Sequence, residues 1–271
     1  MTAAGRLVGQ VAVVTGGGRG IGRAVCEALA REGARVAPFA RHVDDTRAVA
    51  EAIRARGEGD RALALAGDVG VYGQGERAVA DVVRARGRLD IVVNAAGAIA
   101  PIGRTWAADP EEWGRNVTTN LVGAFNVCRA ALPALLAQRS GCVVNVSSGA
   151  ARNPVAGWGA YCAAKAGLDH FTRVLIEETR GTGVRVAVVY PGVVDTGMQD
   201  TIRDADEEGF GPDNLARFRR YKAEGMLRRP EEPAALIAWM AATPEVDGEF
   251  LSVDDPATME RAGLPLGTRR G

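Results

Sequence analysis

The stretch Val11-Ala12-Val13-Val14-Thr15-Gly16-Gly17-Gly18-Arg19-Gly20-Ile21-Gly22 runs from a short apolar segment into a cluster of glycines, and Ala24–Arg31 beyond it reads as a helix. Strand, glycine turn and helix in that order open a β-α unit. Glycines in such a turn let backbone N–H groups approach an anion at the helix N-terminus, where the helix dipole favours negative charge. The spacing Gly16-x-x-x-Gly20-Ile21-Gly22 departs from the G-x-G-x-x-G fingerprint, and a glycine cluster alone could equally be a flexible turn.

The same alternation continues along the chain. Strand-like runs at Arg35–Ala40, Arg61–Ala66, Leu89–Val93, Cys142–Val146, Val184–Val189 and Phe250–Val253 are short and apolar. Between them, Asp45–Arg56, Gln74–Arg86, a long segment from Pro110 to about Gln138, a segment ending at Glu178, and Glu231–Ala242 read as helices. Asp109-Pro110-Glu111-Glu112 is a helix start, with a capping Asp, a Pro at the first helical position and acids in the first turn. A bend is expected near Gly123. The pattern predicts an α/β fold, a doubly wound parallel sheet of one domain over residues 1–255 with helices on both faces. The regularity stops after Pro191. Residues 193–225 are polar and charged and read as a mobile insertion, a substrate lid. The tail Pro256–Gly271 has few apolar residues and is expected to drape on a neighbour or be disordered.

A chain of 271 residues holds one sizeable core. Its 47% apolar and 24% charged content argue against disorder, and its formal net charge of zero gives no footprint for nucleic acid or an anionic membrane. Cys26, Cys128, Cys142 and Cys162 are scattered, which favours free thiols in a reducing cytoplasm over disulfides or zinc. The first residues lack a signal pattern and no apolar run reads as long enough to span a bilayer, so a cytoplasmic location is expected. His42 and His170 are isolated, so no metal site is expected, and Cys162 has no nearby histidine that would make it a nucleophile.

The chemistry gathers between Cys142 and Gly167. An apolar strand ends in Ser147 and Ser148, and a Gly- and Pro-containing loop leads to a helical segment carrying Tyr161 and Lys165. Positions i and i+4 share a helix face, so a phenol and an ammonium project side by side near a hydroxyl. That set suits proton delivery, although Tyr/Lys at this spacing is more often a surface contact. Lys165 is one of only two lysines, with Lys222, in an arginine-rich chain. At the end of the second strand stand Ala40 and Arg41 where a carboxylate would bind ribose hydroxyls, and Arg19 lies in the glycine turn. Two guanidinium groups there favour a ribose 2′-phosphate, hence NADP(H) over NAD(H). Asp44 and Asp45 nearby oppose that preference, and both arginines could be ordinary surface residues.

Thr15-Gly16-Gly17-Gly18-Arg19-Gly20-Ile21-Gly22, Asn94-Ala95-Ala96-Gly97, Asn120, Ser148, Tyr161-x-x-x-Lys165 and Pro191-Gly192 together resemble the short-chain dehydrogenase/reductase family over residues 7–255. Ser148 lies thirteen residues before Tyr161, as in that family. The resemblance implies a Rossmann-type sheet of about seven strands, a nicotinamide cofactor, and a catalytic tetrad of Asn120, Ser148, Tyr161 and Lys165. Tyr161 would be the proton donor, with the adjacent Lys165 cation favouring its phenolate. Ser148 would bond the carbonyl oxygen, and Asn120 would hold a water that relays protons to Lys165. Cofactor contacts would come from Thr15, Gly16, Arg19, Gly20, Ile21, Gly22, Arg41, Asp68, Val69, Asn94, Gly97, Tyr161, Lys165, Pro191, Gly192, Val194 and Thr196. One departure is that the family's Asn-Asn-Ala-Gly reads Asn94-Ala95-Ala96-Gly97, for which only a local effect is expected.

Gly157-Trp158-Gly159-Ala160-Tyr161-Cys162 and the segment Pro191–Arg203 resemble the sepiapterin reductase and benzil reductase branch, in which NADPH reduces a ketone or 1,2-diketone. The Asp that anchors pterin in that branch aligns with Ser252, with Asp254 and Asp255 just beyond, so a pterin substrate is in doubt. Trp158, Met198 and Phe210 are the choices for an apolar pocket wall. The expected function is NADPH-dependent reduction of a small ketone or diketone. The alternatives are an NAD(P)+-dependent alcohol dehydrogenase, a 3-oxoacyl reductase of the same family, or a non-catalytic NADP-binding protein. The resemblance also implies a homodimer or homotetramer built through the helices around Pro110–Gln138 and Gly157–Glu178.

Overall fold

Strands β1 (Val11–Thr15), β4 (Ile91–Asn94), β5 (Gly141–Val146) and β6 (Val184–Tyr190) are buried along almost their whole length, which is why their sequences are continuously apolar rather than alternating. In a computed structural model, which describes residues 5–58 and 61–266, they pair in parallel with β2 (Arg35–Ala40), β3 (Leu65–Ala66) and β7 (Phe250–Ser252). The order is β3-β2-β1-β4-β5-β6-β7. The chain therefore winds outward from β1 to one side and from β4 to the other. The crevice beyond the carboxyl ends of β1 and β4 is the switch point where such sheets bind ligands.

The period of two along each strand sends side chains into two cores. Ala12 and Val14 pack with α1 (Gly20–Arg31), α2 (Val43–Ile53) and α10 (Glu231–Ala242), whereas Val11 and Val13 pack with α3 (Tyr72–Arg86), α5 (Gly123–Gln138) and α6 (Gly159–Thr179). The third strand is shorter than Arg61–Ala66: only Leu65–Ala66 pairs regularly, with an isolated bridge from Ala62 to Val36. It lies at the sheet edge, where one side of the ladder has no neighbour.

Helix α4 (Pro110–Val117) starts as its sequence predicts, Asp109 Oδ1 accepting the Glu112 N–H at 2.9 Å with Pro110 in the first turn. It continues through a wide π-type turn at Thr118–Val122 into α5. The expected bend is this turn, just before Gly123. A Cβ on Gly123 would stand 2.5 Å from Val69 Cγ2, so the missing side chain is what lets the helix close on the loop after β3. Contrary to expectation, Pro110–Gln138 is long and apolar enough by length and composition to cross a bilayer. Its Ala131 and Leu135 instead fill a core, and Asn126 Nδ2 donates to Val69 O at 2.8 Å.

The second half is more regular than its sequence reads. Residues 193–225, expected as an irregular insertion, carry the helices α7 (Gly197–Arg203), α8 (Glu207–Phe210) and α9 (Pro212–Ala223). Few of their residues are apolar, yet Ile202, Phe210, Leu215 and Phe218 all turn inward to one cluster with Trp158 and Tyr161. The tail likewise packs on its own domain. Asp255 caps α11 (Pro256–Arg261), Met259 enters the core with α1 and α10, and Arg261 grips Glu249 with two bonds of 2.7 Å. Residues 267–271 lie outside the described residues. Removing the Met259 side chain (Met259→Ala) is expected to lower stability by about 2–4 kcal/mol, measured by urea unfolding. A loss below about 0.5 kcal/mol, the range of an ordinary surface substitution, would mean that the tail is no part of the core.

Candidate active site

A cleft of about 710 Å³ opens at the switch point. Its β1–β2 side is shaped by absent side chains. A Cβ on Gly22 would stand 2.2 Å from the Gly16 carbonyl oxygen, so helix α1 can begin this close to the turn only with glycine there. Arg19, at the N-cap of α1, is extended and gives no side-chain cap, which leaves the first N–H groups of the helix available to an anion. Gly16, Arg19, Gly20, Ile21 and Gly22 line this side, with Arg41, Asp68, Val69 and Gly97. Among the described residues neither Arg19 nor Arg41 is in an ion pair, while Asp44 faces Arg47 at 3.5 Å. Asp45 also lines the cleft, its Cβ being 2.6 Å from where a Gly18 Cβ would stand. Glycine cradle, helix N-terminus and unpaired guanidiniums together fit a dinucleotide.

The β5–β6 side carries the reactive groups. Ser148, at the end of β5, accepts the Ala150 N–H at 3.2 Å and caps a short turn. Tyr161 and Lys165 project from α6 on one face, both buried, with Lys165 Nζ 5.8 Å from the Tyr161 ring centroid. Lys165 Nζ donates to Val146 O at 2.8 Å. Burial lowers its pKa to about 8, opposed by the charge of Asp169. Burial raises the Tyr161 pKa, and the nearby Ser148 hydroxyl pulls the other way without overcoming it. The net shift of Tyr161 is upward, set first by burial, and the phenol keeps its proton. Pro191, Gly192, Val194 and Thr196 line the cleft beside these groups.

Four predicted site residues do not line it. Thr15 Oγ1 accepts the N–H groups of Ala95 and Ala96, both at 3.0 Å, and so ties the end of β1 to the loop after β4. Asn94 Nδ2 donates to Asn145 Oδ1 at 2.8 Å and staples β4 to β5. Asn120, in the wide turn, donates to Ala98 O at 2.8 Å and accepts the Ala98 N–H at 3.3 Å. A relay water would have to be held by the backbone of that turn rather than by this amide. Phe210 lies behind the wall, stacked on Trp158 with centroids 5.6 Å apart. Trp158 and Met198 do line the cleft, and the wall position expected of Phe210 belongs to Phe218, 5.2 Å from Trp158. Leu215 and Phe218, at i and i+3 in a largely polar helix, mark its inward face in the sequence but not which aromatic reaches the cleft.

At the far end Ser252 lines the cleft beside Tyr190, its partner across the β6–β7 ladder. Asp254 reaches the cleft but is held by Arg228 at 2.8 Å, and Asp255 is committed to capping α11. Sequence reading missed Arg152, whose guanidinium lies 4.2 Å from the Tyr190 ring centroid at the cleft, and the buried Asp169 beneath it.

A dinucleotide cradle facing a hydroxyl beside a buried phenol and ammonium defines a nicotinamide-dependent oxidoreductase. The chain belongs to the short chain dehydrogenase family, whose model matches residues 10–207. It is 33% identical over 257 residues to 2-(S)-hydroxypropyl-CoM dehydrogenase 3 of Xanthobacter autotrophicus, covering 93% of this chain and 98% of that protein. It is 43% identical over 116 residues to a benzil reductase ((S)-benzoin forming) of Bacillus cereus, covering 42% of this chain and 46% of that protein. Among solved structures, a short chain dehydrogenase/reductase from Saccharomyces cerevisiae superposes with a TM-score of 0.84 at 31% identity, over 93% of this chain and 98% of that one.

Proposed function

We propose that the protein is an NADPH-dependent carbonyl reductase acting on a small ketone or diketone. The observation that carries this reading is the partly buried Ser148 beside the buried Tyr161 and Lys165, set across the cleft from two arginines without carboxylate partners. When bound, the dinucleotide supplies a hydride to the carbonyl carbon. Ser148, with its oxygen already accepting the Ala150 N–H, aims its own hydrogen at the substrate oxygen and steadies the charge that develops there. Tyr161, kept protonated by burial, gives that oxygen its proton. Lys165 holds a positive charge beside the phenolate left behind. Trp158, Met198 and Phe218 give the substrate an apolar wall.

The benzil reductase relative supports a ketone or diketone. The hydroxypropyl-CoM dehydrogenase relative supports the reverse reaction, alcohol oxidation by the same groups, and Asp45 in the cleft is the observation on the side of NAD(H). A non-catalytic role finds no support in a proton donor placed this way. Self-association fits the exposed Val122, Phe125 and Leu136 of the long helix and Val174 of α6, a face that a homodimer or homotetramer would cover. The free thiols support a cytoplasmic location.

Tyr161→Phe is expected to lower kcat by about 10²–10⁴-fold while leaving NADPH binding nearly intact; turnover close to that of the wild type would overturn the reading. Arg41→Ala should cut the preference for NADPH over NADH by roughly tenfold, the loss of one charge-assisted bond, in paired Kd measurements. A wild-type preference for NADH would count against NADPH as the cofactor.

A further inference from the structure

Asp169 follows Lys165 by four residues and Tyr161 by eight, so the three side chains stand in one row along α6. It is as deeply buried as the lysine, 3% exposed against 4%. One oxygen accepts the Ser147 hydroxyl at 2.5 Å and the other accepts the Tyr190 hydroxyl at 2.6 Å. Among the described residues no arginine or lysine forms an ion pair with it. A carboxylate withdrawn from water without a cation in contact is costly, and filling this space with an apolar side chain would be cheaper. The position of the group accounts for that cost. Ser147 immediately precedes Ser148 at the end of β5, and Tyr190 immediately precedes Pro191-Gly192 at the end of β6.

We propose that Asp169 is a positioning residue for the reaction. Its charge keeps Lys165 as the ammonium, and its two hydroxyl bonds lock the ends of β5 and β6 to the helix that carries Tyr161. The proposal rests on the role given to Lys165 above. Two forces compete at the lysine: burial drives it toward the neutral amine, and Asp169 is the group that opposes this. The other groups facing the row do not supply a substitute charge. Tyr190, from β6, is pushed upward by burial and then by Asp169 itself, so it stays a donor. Cys162 is on the same helix beside Tyr161, and Asn120, in the wide turn packed on α6, is a neutral amide bonded to Ala98 and Asn116. Arg152, from the loop after β5, is a cation over the Tyr190 ring that lowers that phenol without overcoming burial and Asp169.

The chain's two lysines make the test direct. In protein labelled with ¹⁵N-lysine only Lys165 and Lys222 give side-chain ammonium signals, and Lys222, exposed and 2.8 Å from Asp195, serves as an internal reference. In Asp169→Asn the Lys165 titration midpoint is expected to fall by about one pH unit, with Lys222 unmoved, because the ammonium has lost its opposing charge. The alkaline limb of kcat should move down with it. An unmoved Lys165 midpoint would overturn the proposal and leave the reductase reading intact, since the titration needs no turnover. Tyr190→Phe keeps the charge and removes one bond; it is expected to lower kcat several-fold without moving the Lys165 midpoint. Wild-type kcat and KM in that variant would overturn the clamp, whether or not Asp169→Asn folds.

Discussion

A lysine ammonium held almost out of water, 2.8 Å from the Val146 carbonyl, is the constraint around which the substrate side of this molecule is built. Burial lowers its pKa to about 8 even with the opposing charge of Asp169. Keeping the charge requires a carbonyl at the end of β5, a carboxylate one helical turn away, and a helix held firmly against both strand ends. Each requirement is met by residues next to the reactive ones. Ser147 beside Ser148 and Tyr190 beside Pro191 reach the same carboxylate. The groups proposed to act on substrate and the groups that hold them therefore share a short piece of backbone.

The dinucleotide side is governed by the opposite device, the removal of side chains. Gly22 and Gly16 meet at a distance that excludes a Cβ, and the first turn of α1 is left without a side-chain cap. Thr15 helps without facing the cleft, since its hydroxyl oxygen fixes the two N–H groups of Ala95 and Ala96. The sheet order brings this cradle and the buried phenol to one crevice, because β1 and β4 are neighbours while their following helices leave in opposite directions.

The central strands β1, β4, β5 and β6 were legible because they are buried on both faces and so written as nearly continuous apolar runs. Edge strand β3 is not so buried, and it pairs over less of its predicted range. The Tyr161/Lys165 spacing and the Asp109 cap were legible because helix geometry is local. Residues 193–225 were not, because a helix that buries only Leu215 and Phe218 reads as polar text, and what gives those two residues meaning is Trp158, some sixty residues earlier in the chain. The same holds for Met259 in the tail. Phe210 and Phe218 are alike in composition, and only packing decides which one faces the cleft and which one backs Trp158. Asn94 and Asn120 occupy positions expected to touch ligand, but the Asn94 Nδ2 group bonds the neighbouring strand, leaving only its Oδ1 without a protein partner, and the Asn120 amide is held by the loop after β4. Asp169 escaped notice because a lone acid on a helix usually faces solvent; its burial depends on two hydroxyls from other strands.

The central claim is that this cleft moves a hydride and a proton onto a carbonyl. Oxidation of NADPH, followed by its absorbance in the presence of a panel of ketones, 1,2-diketones, pterins and acyl thioesters, tests it most directly. The account predicts that at least one small ketone or diketone is reduced to its alcohol with one NADPH consumed per carbonyl. Tight NADPH binding without turnover on any member of the panel would contradict it.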